Sequence, residues 1–132
     1  MDPSKALIII PTYNERQNIV LLIPEILKVV PGVSILVVDD NSPDGTATCV
    51  RELAQSVDNV HVLERPGKQG LGRAYISGFR WALEREYECM FEMDADFSHS
   101  PSYLPDFLRE IDNCDLVIGS RYIKGVNVVN WP

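Results

Sequence analysis

Two aspartates separated by one small residue, Asp94 and Asp96, follow a short apolar run at residues 89–93. In an extended segment the side chains alternate between two faces, so both carboxylates are expected on the same side. Like charges this close repel each other unless water or a cation lies between them. Carboxylate oxygens suit Mg²⁺ or Mn²⁺, and magnesium sites commonly combine one or two carboxylates with substrate phosphates. The pair therefore indicates either a solvated turn or a metal site for a phosphate-bearing ligand.

Strand and helix patterns alternate on both sides of this acidic pair. Aliphatic runs predict buried strands at residues 6–10, 34–38, 60–63, 89–93 and 116–118. Apolar residues at helical spacing predict helices over residues 19–30, 46–56, 73–86 and 101–111. Asp44 and Ser100 are suited to cap the second and fourth helices, whereas Pro24 is expected to kink or break the first. Residues 124–132 show no regular pattern.

This order of elements predicts an α/β fold with three layers, in which helices cover both faces of a mainly parallel sheet. Ligands of such sheets bind beyond the carboxyl ends of the strands. A polar cluster follows each predicted strand, at residues 11–15, 39–45, 64–72, 94–98 and 119–121. Loops of α/β proteins are generally polar, but these combine carboxylates, glycines and isolated cations. Their shared edge therefore favours the metal-site interpretation of the acidic pair.

Length and composition limit the class of protein. A chain of 132 residues suits a single domain, residues 1–132, and its 45% hydrophobic and 23% charged content is ordinary for a globular protein. The net charge of −7 argues against a nucleic-acid partner, which needs a basic surface. No apolar run approaches the ~20 residues that cross a bilayer. We therefore expect a cytoplasmic protein that is at most peripheral to a membrane.

The three cysteines indicate a reducing environment. Cys49, Cys89 and Cys114 match no zinc-site spacing, and their odd number argues against a disulfide framework. We therefore expect buried free thiols.

The glycine-rich segment at residues 67–72 matches neither of the common phosphate-binding fingerprints. Its spacing differs from the dinucleotide pattern, and Gln69 stands where an ATPase-type loop needs Ser or Thr. Lys68 is equally suited to neutralise a phosphate and to lie solvated at the surface. His61 is expected to be structural, and His99 to pack or hydrogen-bond beside the acidic pair.

Four sequence blocks occur in an order that resembles a known family. They are residues 8–15 (IIIPTYNE), 37–46 (VVDDNSPDGT), 93–99 (MDADFSH) and 119–122 (GSRY), and residues 130–132 (NWP) add a similar closing segment. Each block is weak alone, whereas four in order are a strong indication. The chain resembles the inverting nucleotide-sugar glycosyltransferases of family 2, and among them the dolichol- or polyprenol-phosphate mannose synthases.

The resemblance implies a GT-A fold that binds GDP-mannose as donor and a polyprenyl or dolichyl phosphate as acceptor. The residues that would line the nucleoside pocket are Pro11, Tyr13, Glu15, Val38 and Asp40. Lys68 would lie near the donor phosphates.

The same resemblance implies a divalent cation, Mg²⁺ or Mn²⁺, as cofactor. Asp94, Ala95 and Asp96 would form the binding site for the metal and the diphosphate. Ser98 would be a further metal ligand where some relatives have glutamine. Arg121 would contact a substrate phosphate, for which a planar bidentate donor is suited; an ordinary surface ion pair is the alternative. Asp96 and Arg121 are the predicted catalytic residues.

The chemistry of this reaction fits the residues available. Transfer from a nucleoside diphosphate needs charge stabilisation of the leaving group, which a divalent cation supplies. An acceptor phosphate is already ionised near neutral pH and needs no strong general base. A sugar hydroxyl ordinarily needs a proton acceptor, and the sequence offers no convincing one.

Alternatives from other classes stay open. The family's domain continues past the position of Pro132, so we expect a truncated donor-binding half with little or no transfer activity of its own. The nearest competitor is a family 2 relative that uses UDP-glucose or another acceptor, followed by an inactive nucleotide-sugar-binding fragment. A phosphoryl-accepting receiver domain ranks last, because its acidic residues would follow the first and third strands.

Overall fold

A computed structural model describes residues 1–113, 116–119 and 126–129 of the chain. The strands are β1 (Ala6–Thr12), β2 (Ser34–Asp39), β3 (Val60–Glu64), β4 (Cys89–Glu92), β5 (Leu116–Gly119) and β6 (Val126–Val129). The helices are α1 (Arg16–Val29), α2 (Thr46–Ala54), α3 (Leu71–Leu83) and α4 (Leu104–Glu110). Short 3₁₀ turns lie at Pro3–Lys5, Pro101–Tyr103 and Ile111–Asn113. The predicted alternation of strands and helices is confirmed through α4.

The main sheet contains four strands in the order β3-β2-β1-β4. All three of its strand pairings are parallel. Every residue of β2 is buried, and so are six of the seven in β1, because helices cover both faces of these central strands. Parallel strands end at a common edge, so the loops after β1, β2, β3 and β4 lie together.

The two faces of the sheet have separate hydrophobic cores, as the period of two along a strand requires. Ile8 and Ile10 of β1 face the core formed with α1, α2 and α4, whereas Leu7 and Ile9 face α3. Each fully buried aliphatic side chain contributes about 1.5–3 kcal/mol of transfer free energy. The predicted three-layer α/β architecture is therefore confirmed.

Helix α3 lies unusually close to the sheet at Gly78. A β-carbon placed on this residue would lie 2.6 Å from Cγ2 of Ile9, well inside contact distance. Glycine here is therefore a packing requirement, and it holds α3 and the loop before it at a fixed height above β1.

The last predicted strand is real, but its partner differs from the expectation. β5 pairs antiparallel with β6 in a separate two-stranded sheet, with Leu116 opposite Val129 and Gly119 opposite Val126. The prediction that residues 124–132 lack regular structure is therefore wrong at Val126–Val129. A connection of six residues, 120–125, is long enough for an antiparallel pair but too short for a parallel crossover.

Helix α1 continues through Pro24, so the predicted break does not occur. Proline removes one backbone hydrogen bond, but Ile19, Leu22 and Ile26 are each fully buried on either side of it. This packing against the sheet offsets the missing bond. The start of α4 agrees better with expectation, since Ser100 accepts the N–H of Ser102 at 3.3 Å and so caps the 3₁₀ turn before the helix.

The described cysteines are free thiols, as predicted. Cys89 is buried at the start of β4, and Cys49 is partly buried. Burial raises the pKa of the Cys89 thiol to about 11, so it stays protonated near neutral pH. Cys114 lies outside the described residues.

The helices are short relative to a bilayer. The longest, α1, has 14 residues and a length of about 21 Å, compared with roughly 30 Å of hydrocarbon. Among the described residues, none forms a helix with the length and apolarity required of a membrane span.

Candidate functional site

The loops after β1 and β2 are joined by hydrogen bonds at the carboxyl edge of the sheet. The backbone N–H of Asn14 donates to Ser42 Oγ at 2.9 Å, and the N–H of Asp44 donates to Asn14 Oδ1 at 3.3 Å. Asn14 has a positive φ of 55°, a conformation that asparagine tolerates better than most residues. The two loops therefore form one structural unit.

Asp44 connects this unit to both neighbouring helices. Its Oδ2 accepts the N–H of Arg16 at 3.1 Å, and its Oδ1 accepts the N–H of Thr46 at 3.0 Å. Burial acts to raise the pKa of Asp44, but the hydrogen bonds from Thr46 and Arg16 outweigh it, and the pKa is lowered. The predicted cap position is wrong by one residue, since Gly45 is the N-cap of α2 and has no side chain to cap it. Asp44 instead accepts the N–H of Thr46, the first residue of the helix.

Asp39 lies beneath the joined loops and is 1% exposed. Its Oδ1 accepts the hydroxyls of Thr12 at 2.7 Å and Ser42 at 2.6 Å, and its Oδ2 accepts the Ser42 N–H at 3.0 Å. A buried carboxylate is tolerated only when donors satisfy it in this way. Asp39 is therefore a structural anchor for the ends of β1 and β2.

Asp40 forms a buried ion pair with Arg65 at the end of β3. Arg65 Nε donates to Asp40 Oδ1 at 2.6 Å and Nη2 to Oδ2 at 3.0 Å, the two-pronged geometry that guanidinium and carboxylate favour. The two residues are only 6% and 8% exposed. Asp40, predicted for the base and ribose side of the nucleoside pocket, is thus presented at the sheet edge in a fixed orientation.

Tyr13 and Lys68 come together from the loops after β1 and β3. Lys68 Nζ lies 5.0 Å from the centre of the Tyr13 ring, a cation–π distance, and the Tyr13 side chain is 40% exposed. The structure thus brings together an exposed aromatic face and a cation, both predicted site residues.

The other residues predicted for the nucleoside pocket differ in accessibility. Pro11 and Glu15 are partly exposed, and the Glu15 carboxylate accepts the side-chain amide of Asn18 at 2.9 Å. Val38, by contrast, is fully buried in the core beneath α3. The predicted ligand contact of Val38 cannot come from its side chain.

The acidic pair lies in a turn beyond β4, which ends at Glu92 rather than at Met93 as predicted. Met93 and Ala95 are each 4% exposed and pack into the core on the α1 side. The alternation continues, so Asp94 and Asp96 point away from that core, in agreement with the expected common side. Phe97 then turns the chain with a positive φ of 64°.

Ser98 connects the two carboxylates. Its backbone N–H donates to Asp96 Oδ1 at 3.0 Å and its hydroxyl to Asp94 Oδ2 at 3.4 Å. The side-chain and backbone hydrogen bonding of Ser98 lowers the pKa of Asp96. Asp96 is exposed and its other oxygen has no hydrogen bond to the described residues, so it has capacity for a further ligand.

Asp94 is held from two further sides. The Tyr75 hydroxyl on α3 donates to Asp94 Oδ1 at 3.2 Å, and the Asp94 N–H donates to His99 Nδ1 at 3.2 Å. Burial, followed by the charge of Asp94, raises the pKa of Tyr75 and keeps the phenol protonated. The expectation that His99 hydrogen-bonds beside the acidic pair is confirmed.

The oxygens of Asp94, Asp96 and Ser98 suit a hard divalent cation such as Mg²⁺ or Mn²⁺. Within the described residues, no group of three or more His, Cys, Asp or Glu side chains is arranged to hold a metal by itself. Two carboxylates and a hydroxyl therefore fit a cation whose remaining ligands come from a phosphorylated substrate or from water. The predicted Arg121 lies outside the described residues.

Sequence reasoning missed the residues that hold this site in place. They are Thr12, Asp39, Ser42, Arg65 and Tyr75. The sequence indicates that Arg65, an arginine directly after a strand at the acidic edge, needs a partner, but it does not identify Asp40 as that partner. Tyr75 falls in a predicted helix, and nothing in its spacing distinguishes it from a core aromatic.

Comparisons with a family profile and with known proteins agree with the family that the sequence blocks resemble. Residues 7–132 match the profile of glycosyl transferase family 2. The chain is 52% identical over 130 residues to a polyprenol monophosphomannose synthase of Mycolicibacterium smegmatis, and 51% identical over 128 residues to an undecaprenyl-phosphate mannosyltransferase of Micrococcus luteus. It is 42% identical over 131 residues to a dolichol-phosphate mannosyltransferase of Pyrococcus furiosus. Each alignment covers 97% of this chain.

A solved structure supports the fold. The mannosyltransferase PcManGT of Pyrobaculum calidifontis, determined in complex with GDP-Man and Mn²⁺, superposes on 58% of this chain and 24% of its own with a TM-score of 0.53 and 28% identity. The α/β fold is therefore of the GT-A type.

The chain spans 49%, 53% and 36% of the lengths of the three curated relatives. The matched region nevertheless includes the described four-stranded sheet, except Ala6 at the start of β1, and the loops at its carboxyl edge. This chain belongs to glycosyl transferase family 2.

Proposed function

We propose that the chain is the donor-binding part of a metal-dependent mannosyltransferase. The donor is GDP-mannose, and the acceptor is a polyprenyl or dolichyl monophosphate, with inversion at the transferred carbon. The observation that carries this proposal is the acidic pair, with Asp96 exposed and Asp94 partly exposed, at the same sheet edge as the exposed Tyr13 ring and Lys68. The names of the curated relatives support the choice of mannose and of a lipid phosphate.

The nucleoside would bind over the joined loops after β1 and β2. Tyr13 offers an exposed aromatic face to the base, and the Asp40 carboxylate and the backbone of Pro11 border the same edge. Glu15 and the Val38 backbone complete the predicted lining. Because Arg65 holds Asp40 from below, the pocket wall is fixed before the ligand arrives, which reduces the entropic cost of binding.

The diphosphate would lie between Lys68 and the acidic turn. Lys68 supplies a positive charge for the phosphates, and Asp94, Asp96 and Ser98 would hold Mg²⁺ or Mn²⁺, with the backbone of Ala95 alongside. A divalent cation, when bound, stabilises the charge that develops on the GDP leaving group. Asp96, which is the more exposed of the pair, would be the principal catalytic carboxylate.

The acceptor would need no proton removed. Its phosphate oxygen is already ionised near neutral pH, so the protein has only to orient it, and Arg121 is the residue that we assign to this contact. The lipid tail implies contact with a membrane surface from the cytoplasmic side. Residues 1–132 would form one domain of the complete transferase.

Calorimetry with GDP, UDP and GDP-mannose, with and without Mn²⁺, tests the proposal. We expect GDP and GDP-mannose to bind in a Mn²⁺-dependent manner, and Asp96→Asn to weaken that binding by about 100-fold through loss of a charged ligand. Asp58→Asn is the matched control, because it removes an exposed carboxylate that is distant in sequence from Asp96.

The outcomes separate the alternatives. Preference for UDP would indicate a glucose-transferring relative, and Mn²⁺-independent binding would contradict the role of the acidic pair. Transfer of mannose to a polyprenyl phosphate, measured with radiolabelled donor, then tests whether this chain acts alone or only binds the donor.

A further inference from the structure

In addition to the acidic turn and the joined loops after β1 and β2, the structure has a polar cleft beside α3. It has a volume of about 290 Å³ and is lined by Arg65, Gln69, Arg73, Ile76, Ser77 and Arg80. Three of its six lining residues are arginines and none is acidic. In a chain with 19 acidic and 12 basic residues, such a concentration of positive charge needs an explanation.

The arginines converge because of helix geometry. Arg73, Ser77 and Arg80 are spaced by four and three residues, so they share one face of α3. Arg65 approaches the same face from the end of β3, where its Nη1 donates to Ser77 Oγ at 3.4 Å. The cleft therefore forms between the loop after β3 and the outer side of the helix.

Two of these three cations have no counter-charge among the residues that the structure describes. Arg65 is paired with Asp40, but Arg73 and Arg80 make no ion pair or side-chain hydrogen bond with any residue that the structure describes. The nearest acid along the helix, Glu84, is 3.4 Å from Arg85 instead. Neighbouring like charges raise the free energy of the folded chain unless an anion compensates them.

We propose that this cleft binds a phosphate-bearing anion on the α3 side of the Arg65–Asp40 pair, beside the proposed donor pocket. Guanidinium groups donate planar, paired hydrogen bonds that match phosphate oxygens. Arg65 uses three of its five N–H donors on Asp40 and Ser77, which leaves donors for a ligand. Gln69 and Ser77 add neutral donors around the same volume.

The surroundings of the cleft suit an amphiphilic phosphate as well as a soluble one. Ile76 is 49% exposed at the cleft, and Leu83, three residues beyond Arg80, is 69% exposed. Exposed aliphatic side chains interleaved with arginines are typical of helices that lie at a lipid headgroup layer. The phosphate can thus come from a soluble ester or from a lipid headgroup, and the recognition chemistry is the same.

Binding of two probes by the 132-residue chain tests the site in the presence of EDTA, so that no metal-dependent donor binding contributes. One probe is inorganic phosphate, measured by calorimetry. The other is a phosphatidylcholine vesicle with or without phosphatidic acid, measured by sedimentation. We expect saturable binding to at least one, weakened by added salt because the site is exposed.

The double variant Arg73→Gln/Arg80→Gln identifies the residues responsible. Loss of two charge-assisted contacts should weaken binding by at least about tenfold. Lys5→Gln/Lys28→Gln removes the same charge from exposed positions away from the cleft and should leave binding unchanged. Both variants keep the core intact, so their thermal unfolding should match that of the parent chain.

Binding of phosphate alone would assign the site to soluble phosphate esters, and binding of only the phosphatidic acid vesicles would assign it to headgroups. The proposal is overturned if neither probe binds saturably, or if both double variants bind equally well.

Discussion

Two acidic pairs lie at the carboxyl ends of strands of the same sheet, Asp39 and Asp40 at the end of β2 and Asp94 and Asp96 beyond β4, yet their environments are opposite. The first two residues are 1% and 6% exposed, and hydroxyl, amide and guanidinium donors surround their carboxylates. The second pair lies on a turn, with Asp96 exposed and bonded only through Ser98 among the described residues. Identical residue types are therefore buried and satisfied by protein donors in one place and accessible to a ligand in the other.

The difference shows where a cation can bind. A carboxylate whose oxygens are already satisfied by protein donors has little to offer a metal, whereas a solvated one with free lone pairs has. The burial of Asp39 and Asp40 also makes them sensitive to loss of a partner, since an unpaired buried charge is strongly destabilising. Exposure thus separates a role in stability from a role in binding.

The largest effect is expected from breaking the buried ion pair. Arg65→Gln leaves Asp40 buried without its counter-charge, and we expect the free energy of unfolding to fall by about 3–5 kcal/mol. Urea unfolding followed by circular dichroism measures this. Adding Asp40→Asn to the same chain should recover part of the loss. A decrease as small as that of exposed Arg73→Gln would mean that the pair carries no structural role.

A smaller effect on stability is expected from removing one hydrogen-bond donor to Asp39. Thr12→Val keeps the shape of the side chain but deletes the hydroxyl that donates to Asp39 at 2.7 Å. Hydrogen bonds to charged groups contribute about 1.5–3 kcal/mol, so the free energy of unfolding should fall by about 2 kcal/mol. Thr48→Val on the exposed side of α2 is the control. Equal effects for the two variants would contradict the anchoring role of Asp39.

Tyr75→Phe tests the partly buried contact between α3 and the acidic pair. It removes the hydroxyl that donates to Asp94 Oδ1 at 3.2 Å, and we expect a loss of about 1 kcal/mol in stability. Mn²⁺ affinity, measured by electron paramagnetic resonance, should also fall, because Asp94 would lose its fixed orientation. Tyr103→Phe removes an exposed hydroxyl and should change neither quantity.

The smallest effect on stability is expected at Asp96, the residue that we propose as the principal ligand of the cation. Asp96→Asn should change the free energy of unfolding by less than about 0.5 kcal/mol at neutral pH, because the side chain is exposed. Addition of EDTA should likewise leave unfolding unchanged. A loss comparable to that of Thr12→Val would show that Asp96 is scaffold as well.

The pH dependence of stability in the Asp96→Asn variant is a further test, because its direction follows from the pKa of Asp96. Because the pKa of Asp96 is lowered in the folded chain, its stabilising contribution is present above the unfolded value of 3.8. It is lost as the pH falls through the lower, folded value. Asp96→Asn should therefore flatten the acid side of the stability profile, measured by urea unfolding between pH 2 and 5.

Much of this architecture could be predicted from the sequence because it depends on local pattern. The continuous aliphatic runs predicted the strands of the main sheet, and parallel topology then placed their loops at one edge. β6 was missed although Val126, Val128 and Val129 are β-branched, because Asn127 interrupts the short aliphatic run. Its antiparallel pairing with β5 needed knowledge of the short connection.

The site was predictable in its residue types but not in its partners. Asp94 and Asp96 could be identified from their spacing, whereas the sequence gives no sign that Arg65 reaches across to Asp40, 25 residues earlier. Such contacts depend on the three-dimensional position of loops. The accessibility of Val38 was likewise invisible, because a strand residue next to the edge can face either a ligand or a core.

The strand order has a consequence for how the chain assembles as it is made. One edge of β1 pairs with β2, and the paired residues Leu7 and Ser34 are only 27 positions apart in sequence. Its other edge pairs with β4, and there Ala6 and Cys89 are 83 positions apart (89 − 6). At synthesis rates of roughly 5–20 residues per second, that edge stays unpaired for several seconds on the ribosome. An aliphatic strand in this state readily pairs with other chains. The yield of folded protein should therefore depend on the temperature of synthesis and on chaperones that cover β1 until β4 emerges.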